Sequence, residues 1–233
     1  MANEERGERL SRIRHSMAHV MAEAVLEMFP GAQIAIGPAI ENGFYYDFDL
    51  PRQLVNEDLE EITTRMQAII AQDLEFKRTV VSRQEARERF ADQHFKLELL
   101  DAIEEDEEVS LYSLGSFVDL CRGPHVSSTK ELKGVAFKLM NIAGAYWRGK
   151  ETNPMLTRIY GTAWENGKEL RLYLERIADI ERRDHRRLGK ELDLFSLHEE
   201  AGPGLVYWHP KGARIRQQIE DFWRAEHYAN GYE

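Results

Sequence analysis

From Gly43 to Asp49 the side chains alternate without a break. Phe44, Tyr46 and Phe48 fall on one face of an extended chain, and Tyr45, Asp47 and Asp49 on the other. A period of two with one wholly apolar face calls for a sheet with one side covered. The covering is written on both sides of it. Leu10, Ile13, Met17, Val20, Met21, Ala24 and Met28 recur at helical spacing over Leu10 to Phe29, and Pro30-Gly31 ends that helix. A second helix opens at Asn56, with acids in its first turn and Leu59, Ile62, Met66, Ile69 and Ile70 as its stripe. Asn42-Gly43 is a two-residue turn signal before the alternating strand.

Further strands are expected at EFKRTVVS, at SLGSFVDLC, at VAFKLMNIAGAYW and at MLTRIYGTAW. Ser82 and Glu85 form a capping box that opens a short helix. The acidic run Glu104 to Glu108 reads as a solvated loop. Glu165 to about Leu194 reads as one long helix with Leu170, Leu174, Ile177 and Ile180 as its stripe, and Lys211 to Tyr228 as a last helix. The expected fold class is α+β: two layers, a mostly antiparallel sheet packed against helices.

Charge and cysteine use narrow the function. The 233 residues carry a net charge of −10, so a polyanion would have to meet a local basic patch rather than the whole surface. The one dense basic run, Arg182 to Lys190, reads first as a solvated helix face and second as a contact for a polyanion backbone. Cys121 is the single cysteine, which excludes an internal disulfide and suits a reducing cytosol. No apolar run reaches membrane-spanning length, and the N-terminus lacks a signal-peptide core.

Two short motifs carry candidate chemistry. HSMAH sets His15 and His19 one helical turn apart, roughly opposite the apolar stripe, with Ala22 and Leu26 beside them. Ser16 follows the first histidine, so this is not the HExxH metalloprotease motif. CRGPH sets Cys121 and His125 four apart, and its Gly-Pro forbids a regular helix, so a tight loop at a strand end brings them together. Taken alone, the first pair reads as two surface histidines, and the second reads equally as a buried Cys with a turn His or as a functional pair.

Together with GFYYDF, FKLEL, VDLCRGPH, AGAYWRG and NPMLTRIYGTAW, in this order, HSMAH resembles the second N-terminal domain of bacterial-type threonyl-tRNA synthetases. The alanyl-tRNA synthetases and free-standing alanyl editing proteins share the HxxxH and CxxxH pattern. RDHRRLGKELDLF and GPGLVYWHPKGARIRQQIEDFW extend the resemblance into a linker and the opening of a class II catalytic domain. The resemblance implies a tail at 1–9, an editing domain at 10–164, a linker helix at 165–200 and the start of a truncated catalytic domain at 201–233. It implies hydrolysis of seryl-tRNA charged on threonine tRNA, since a synthetic pocket rejects an analogue smaller by one methyl only about 10–200-fold. Ligase activity is not expected of such a piece, ATP and magnesium belonging to the full-length enzyme, whose missing catalytic domain implies a homodimer. A cytoplasmic location and no membrane partner are expected.

Carried over residue by residue, the resemblance makes His15, His19, Lys96, Asp119, Cys121 and His125 the catalytic set. Water or its proton would be handled by a histidine, the substrate's ammonium or hydroxyl by Asp119, and the carbonyl oxygen or leaving group by Lys96. Tyr46 and Arg122 are expected to bind substrate. No metal is expected to be required, because four protein ligands close a zinc site, whereas catalytic zinc keeps a position open. If zinc is bound, His15, His19, Cys121 and His125 hold it, as in the alanyl branch. Three other readings stand beside this one: a non-catalytic tRNA-docking module with a structural zinc, an alanyl-type zinc-dependent deacylase, and a Cys121–His125 thiol hydrolase.

Overall fold

The structure is a computed structural model describing residues 2–202 and 204–232. The expected tail and C-terminal segment also take in Met1, Pro203 and Glu233, which lie outside the described residues. The chain divides into two compact units, Met1–Leu170 and Arg171–Glu233.

In the first unit, α1 (Ala2–Met28) is buried on nearly every side from Ile13 to Val25. It begins well before Leu10, so residues 2–9 are helix rather than a tail. Glu4 and Glu5 suit the positive end of the helix dipole, and Arg6 is bonded to Glu165 and Glu169. The apolar stripe of α1 and that of α2 (Asn56–Ala71) cover one large antiparallel sheet. Its strands are β1 (Gln33–Ile34), β2 (Ala39–Ile40), β3 (Gly43–Asp49), β7 (Ala136–Tyr146) and β8 (Met155–Trp164), in the order β1-β3-β8-β7 with β2 also on β3. Phe44, Tyr46 and Phe48 are fully buried beneath the helices, as the alternation requires. Mixed helices and antiparallel sheet make the unit α+β.

The turn before β3 falls on Glu41-Asn42, one residue earlier than the sequence signal, because Gly43 already pairs with Ile40. Gly43 is a glycine for another reason: a Cβ there would meet the Gly161 carbonyl oxygen at 2.1 Å. Between β1 and β2, residues 35–38 form a strap that stays bonded to β3 through Ala35 N–H to Asp47 O and Asp47 N–H to Ile36 O, both 2.9 Å.

The second face of α1 packs on a smaller antiparallel sheet, β4 (Lys77–Val81), β5 (Val109–Leu114) and β6 (Phe117–Leu120), in that order. The expected single strand at SLGSFVDLC is instead a hairpin. Gly115, at φ +56°, turns β5 into β6, and a side chain there would strike Glu23 of α1. Ser82 caps α3 (Arg83–Arg89) as the capping box demands. Lys96 rides on α4 (His94–Asp101), a helix too short to show a clear period in the sequence.

Around the unit boundary, the expected long helix is broken in two, α5 (Gly167–Arg182) and α6 (His185–Glu191). Asp184 accepts from Arg186 N–H at 2.8 Å and starts the second helix afresh. No residue of α5 is buried, so its apolar stripe stays partly exposed. A hairpin, β9 (Phe195–Leu197) with β10 (Val206–Trp208), leads to α7 (Pro210–Ala229). In the basic run, Arg182 and Arg183 pair with Asp179, Arg186 with Asp184 and Arg187 with Glu191, which fits a solvated, self-neutralised face.

Candidate active site

Helix α1 brings His15 and His19 to one level of the first unit, and β6 runs alongside to deliver Asp119, Cys121 and His125. The three imidazoles form a tight group: His125 lies 4.1 Å from His15 and 4.2 Å from His19, centroid to centroid. The Cys121 Sγ stands 3.3 Å from Nε2 of both His15 and His125, and accepts from Gly123 N–H at 3.2 Å.

Ser16, overlooked in the sequence reading except as a departure from HExxH, sets the tautomer of His125. Its hydroxyl proton goes to Arg12 O at 2.9 Å, as a helical serine allows, so its oxygen can only accept from His125 Nδ1–H at 3.1 Å. That leaves His125 Nε2 as a bare acceptor facing the thiol. The same Ser16 oxygen accepts from Val126 N–H at 3.1 Å, tying the CRGPH loop to α1. Phe76, also unforeseen, stacks on His125 at 5.1 Å with planes 7° apart. Both partners are ordinary core residues by sequence, so only the fold reveals them.

Asp119 anchors a buried polar network. Its carboxylate accepts from the Tyr46 hydroxyl at 2.6 Å, lies 3.3 Å from His19 Nε2 and ion-pairs with Lys96. The Lys96 ammonium also donates to Ala35 O at 2.6 Å and to the Tyr46 oxygen at 3.1 Å. With all three of its donors used, a buried charge is matched to a buried countercharge.

A cleft of about 310 Å³ opens over this group. Its walls include His15, His19, Lys96, Asp119 and Cys121. His125 backs Cys121 from behind and is not on the wall. Tyr46 does not line the cleft either. It is fully buried under Gly37 of the strap, where a Cβ would lie 2.0 Å from its ring, so it supports Asp119 and Lys96 rather than meeting a ligand. Arg122 stands at the rim, exposed and paired with Glu107 at 2.6 Å.

Burial sets the proton affinities. It lowers those of His15, His19 and His125, so all three imidazoles are neutral at pH 7. Burial first, then the nearby Asp119 charge, pushes the Cys121 thiol up to about 12. A protonated thiol is a poor nucleophile, which weighs against an acyl-enzyme on Cys121. Burial also holds the Tyr46 phenol protonated.

The donors His15, His19, Cys121 and His125 lie within 4.8 Å of one another, a number, chemistry and spacing that fit a zinc ion. Among the described residues, no helix is long and apolar enough to cross a membrane.

Comparison with known proteins agrees with the motifs. Residues 109–160 match the family described as the threonyl and alanyl tRNA synthetase second additional domain. That stretch carries Asp119, Cys121 and His125, while His15, His19 and Lys96 precede it. Over 224 residues, 96% of this chain, it is 56% identical to a threonine–tRNA ligase of Borreliella burgdorferi and covers 39% of that protein. It is 58% identical to one of Dehalococcoides mccartyi and 52% to one of Borrelia turicatae, covering 38% of each. The chain thus spans about two fifths of the length of these curated relatives. The similarity to threonine–tRNA ligases, over nearly the whole chain, bears out the resemblance read from the motifs.

Proposed function

We propose that the cleft is a proofreading site that hydrolyses the ester of serine mischarged on threonine tRNA, within a cytoplasmic threonyl-tRNA synthetase. The observation that carries this reading is the convergence of His15, His19, Lys96, Asp119 and Cys121 on one cleft. Their chemistry suits ester cleavage by water. His15, partly exposed on the wall and neutral at pH 7, takes a proton from the attacking water and returns it to the ribose oxygen as the ester's acyl C–O bond breaks, freeing serine and the tRNA. Lys96 exchanges one of its present bonds for the developing oxyanion, and Asp119 meets the substrate's ammonium. His19 and Tyr46 hold Asp119, and Ser16 with His125 holds Cys121. Serine passes and threonine is refused because excluding a larger group needs only a wall.

If zinc is bound, His15, His19, Cys121 and His125 hold it, and it would supply Lewis acidity or a structural tie. The proposed reaction needs no metal, because four protein ligands would tie up the imidazole assigned to the water. The domain division of this reading places editing at 10–164, a linker at 165–200 and the catalytic domain's opening at 201–233, with dimerisation through that catalytic domain.

The test is single-turnover deacylation by this chain. Seryl-tRNA charged on threonine tRNA should disappear far faster than the threonyl form. Equal rates for the two, or no rate above the uncatalysed one despite demonstrated tRNA binding, would sink the reading in favour of a docking module.

A further inference from the structure

We infer that Arg148, at the tip of the β7–β8 hairpin, is a positioning residue for Lys96, clamping α4 so that the Lys96 ammonium is held in the cleft. This role rests on the reading that Lys96 meets the developing oxyanion; the hairpin itself has no part in that reading. Arg148 sits in the left-handed region, at φ +53° and ψ +23°. Among the described residues, the other non-glycines at positive φ are Asp73 and Asp193, and aspartate is a residue that tolerates this conformation. Arginine has no such local compensation, so its strain has to be held by contacts elsewhere.

Those contacts all fall on α4. The Arg148 guanidinium donates to Glu98 O at 3.1 Å. That carbonyl is open to it because Ala102 N–H bonds Leu99 O at 3.2 Å instead, as the last turn of α4 tightens. A cation also suits the negative end of a helix. The neighbouring Trp147 is buried, donates from Nε1 to the Glu98 carboxylate at 2.8 Å and packs edge-on against Phe95 at 5.1 Å. Trp147 is itself fixed by Asn153 Nδ2 on its carbonyl at 2.9 Å and by its own N–H on Pro154 O at 3.0 Å. Phe95 and Glu98 are three residues apart and share one face of α4, while Lys96 projects about 100° round from Phe95. Pinning the first face therefore fixes the direction of the second. Lys96 depends on that direction, since its ammonium must reach Ala35 O, the Tyr46 oxygen and Asp119 together.

The experiment compares Arg148→Gly, Arg148→Asn and Arg148→Lys with the parent in the intact chain. Gly and Asn both suit the left-handed turn, but neither reaches α4, whereas Lys keeps a long stem and a donor. The Gly and Asn variants should melt within about 4 °C of the parent, relief of strain offsetting the lost bond. Reductive methylation, read residue by residue in the mass spectrometer, should modify Lys96 at least about tenfold faster in both than in the parent, where it is buried. Their kcat for seryl-tRNA should fall about 10–100-fold with KM within about twofold, as when a group that acts only in the transition state is displaced. Arg148→Lys should recover most of the rate and of the protection. Parental kcat and parental protection in the Gly or Asn variant would overturn the inference, as would a risen KM at unchanged kcat, or a lower kcat with Lys96 still protected. If one of these two variants fails to fold, the other decides. A parent that hydrolyses no seryl-tRNA removes the editing reading instead, and Lys96 protection alone then decides whether Arg148 holds it.

Discussion

Cys121 and the imidazoles around it divide by exposure, and exposure sorts their expected roles. His15 and Cys121 reach the cleft, while His125 stands behind with its tautomer fixed by Ser16. With the thiol protonated, Cys121→Ala should leave deacylation within about tenfold of the parent. His15→Ala combined with His19→Ala should lower it by about 100-fold or more, the scale of general acid–base help. Single-turnover rates check both, and a trapped seryl adduct on Cys121 would instead establish the thiol hydrolase. The same residues decide the metal question. Protein purified without chelator is expected to keep its editing rate after chelation. Stoichiometric zinc whose removal abolishes activity, and whose return restores it, would move the site to the metal-dependent class.

At the scale of elements, the strap at 35–38 does what neither neighbouring strand does. It lays Gly37 on the Tyr46 ring and presents the Ala35 carbonyl to Lys96. Gly37→Ala drives a methyl into a buried ring that cannot yield without pulling its hydroxyl from Asp119. It should cost about 1–3 kcal/mol in urea denaturation, as overpacking does, and slow deacylation along with it. The β5–β6 turn has a similar task, since Gly115 lets the hairpin close over Glu23 and sets β6 in register with α1. This hairpin is also where the sequence misled. SLGSFVDLC alternates well enough for one strand, and Gly-Ser in its middle is a weaker turn signal than Asn-Gly.

For the whole molecule, buried titratable groups of opposite kinds shape stability. The three site histidines refuse protons when folded, so below pH 6.5, where the unfolded chain takes them up, stability falls with acid. Each adds a slope of at most about 1.4 kcal/mol per pH unit, the limit for a difference of one proton. Glu23 acts in the other direction. Burial raises its carboxyl to about 7 from 4.5, so the folded state holds a proton that the unfolded state releases between those values. Stability is lost there as pH rises. Glu23→Gln keeps an acceptor for Ser116 N–H and cannot ionise. It should therefore gain on the parent from pH 4.5 to about 7, by at most about 3 kcal/mol, with no further gain above. Urea denaturation across pH 4–8 measures both limbs.

Periodicity alone determined the α1 and α2 stripes, the buried face of β3 and the α+β class, because these record which side of an element meets water. The spacings of HSMAH and CRGPH brought each pair together locally, through one helical turn and one tight loop. Distance in sequence hid the rest. That His15 meets Cys121 across 106 residues, that Lys96 spends its protons on Asp119, Tyr46 and a strap carbonyl, and that Tyr46 supports rather than lines the cleft follow only from packing two sheets on opposite sides of α1. A local signal cannot encode such contacts, since each is fixed by where the sheets place their strands against the helix.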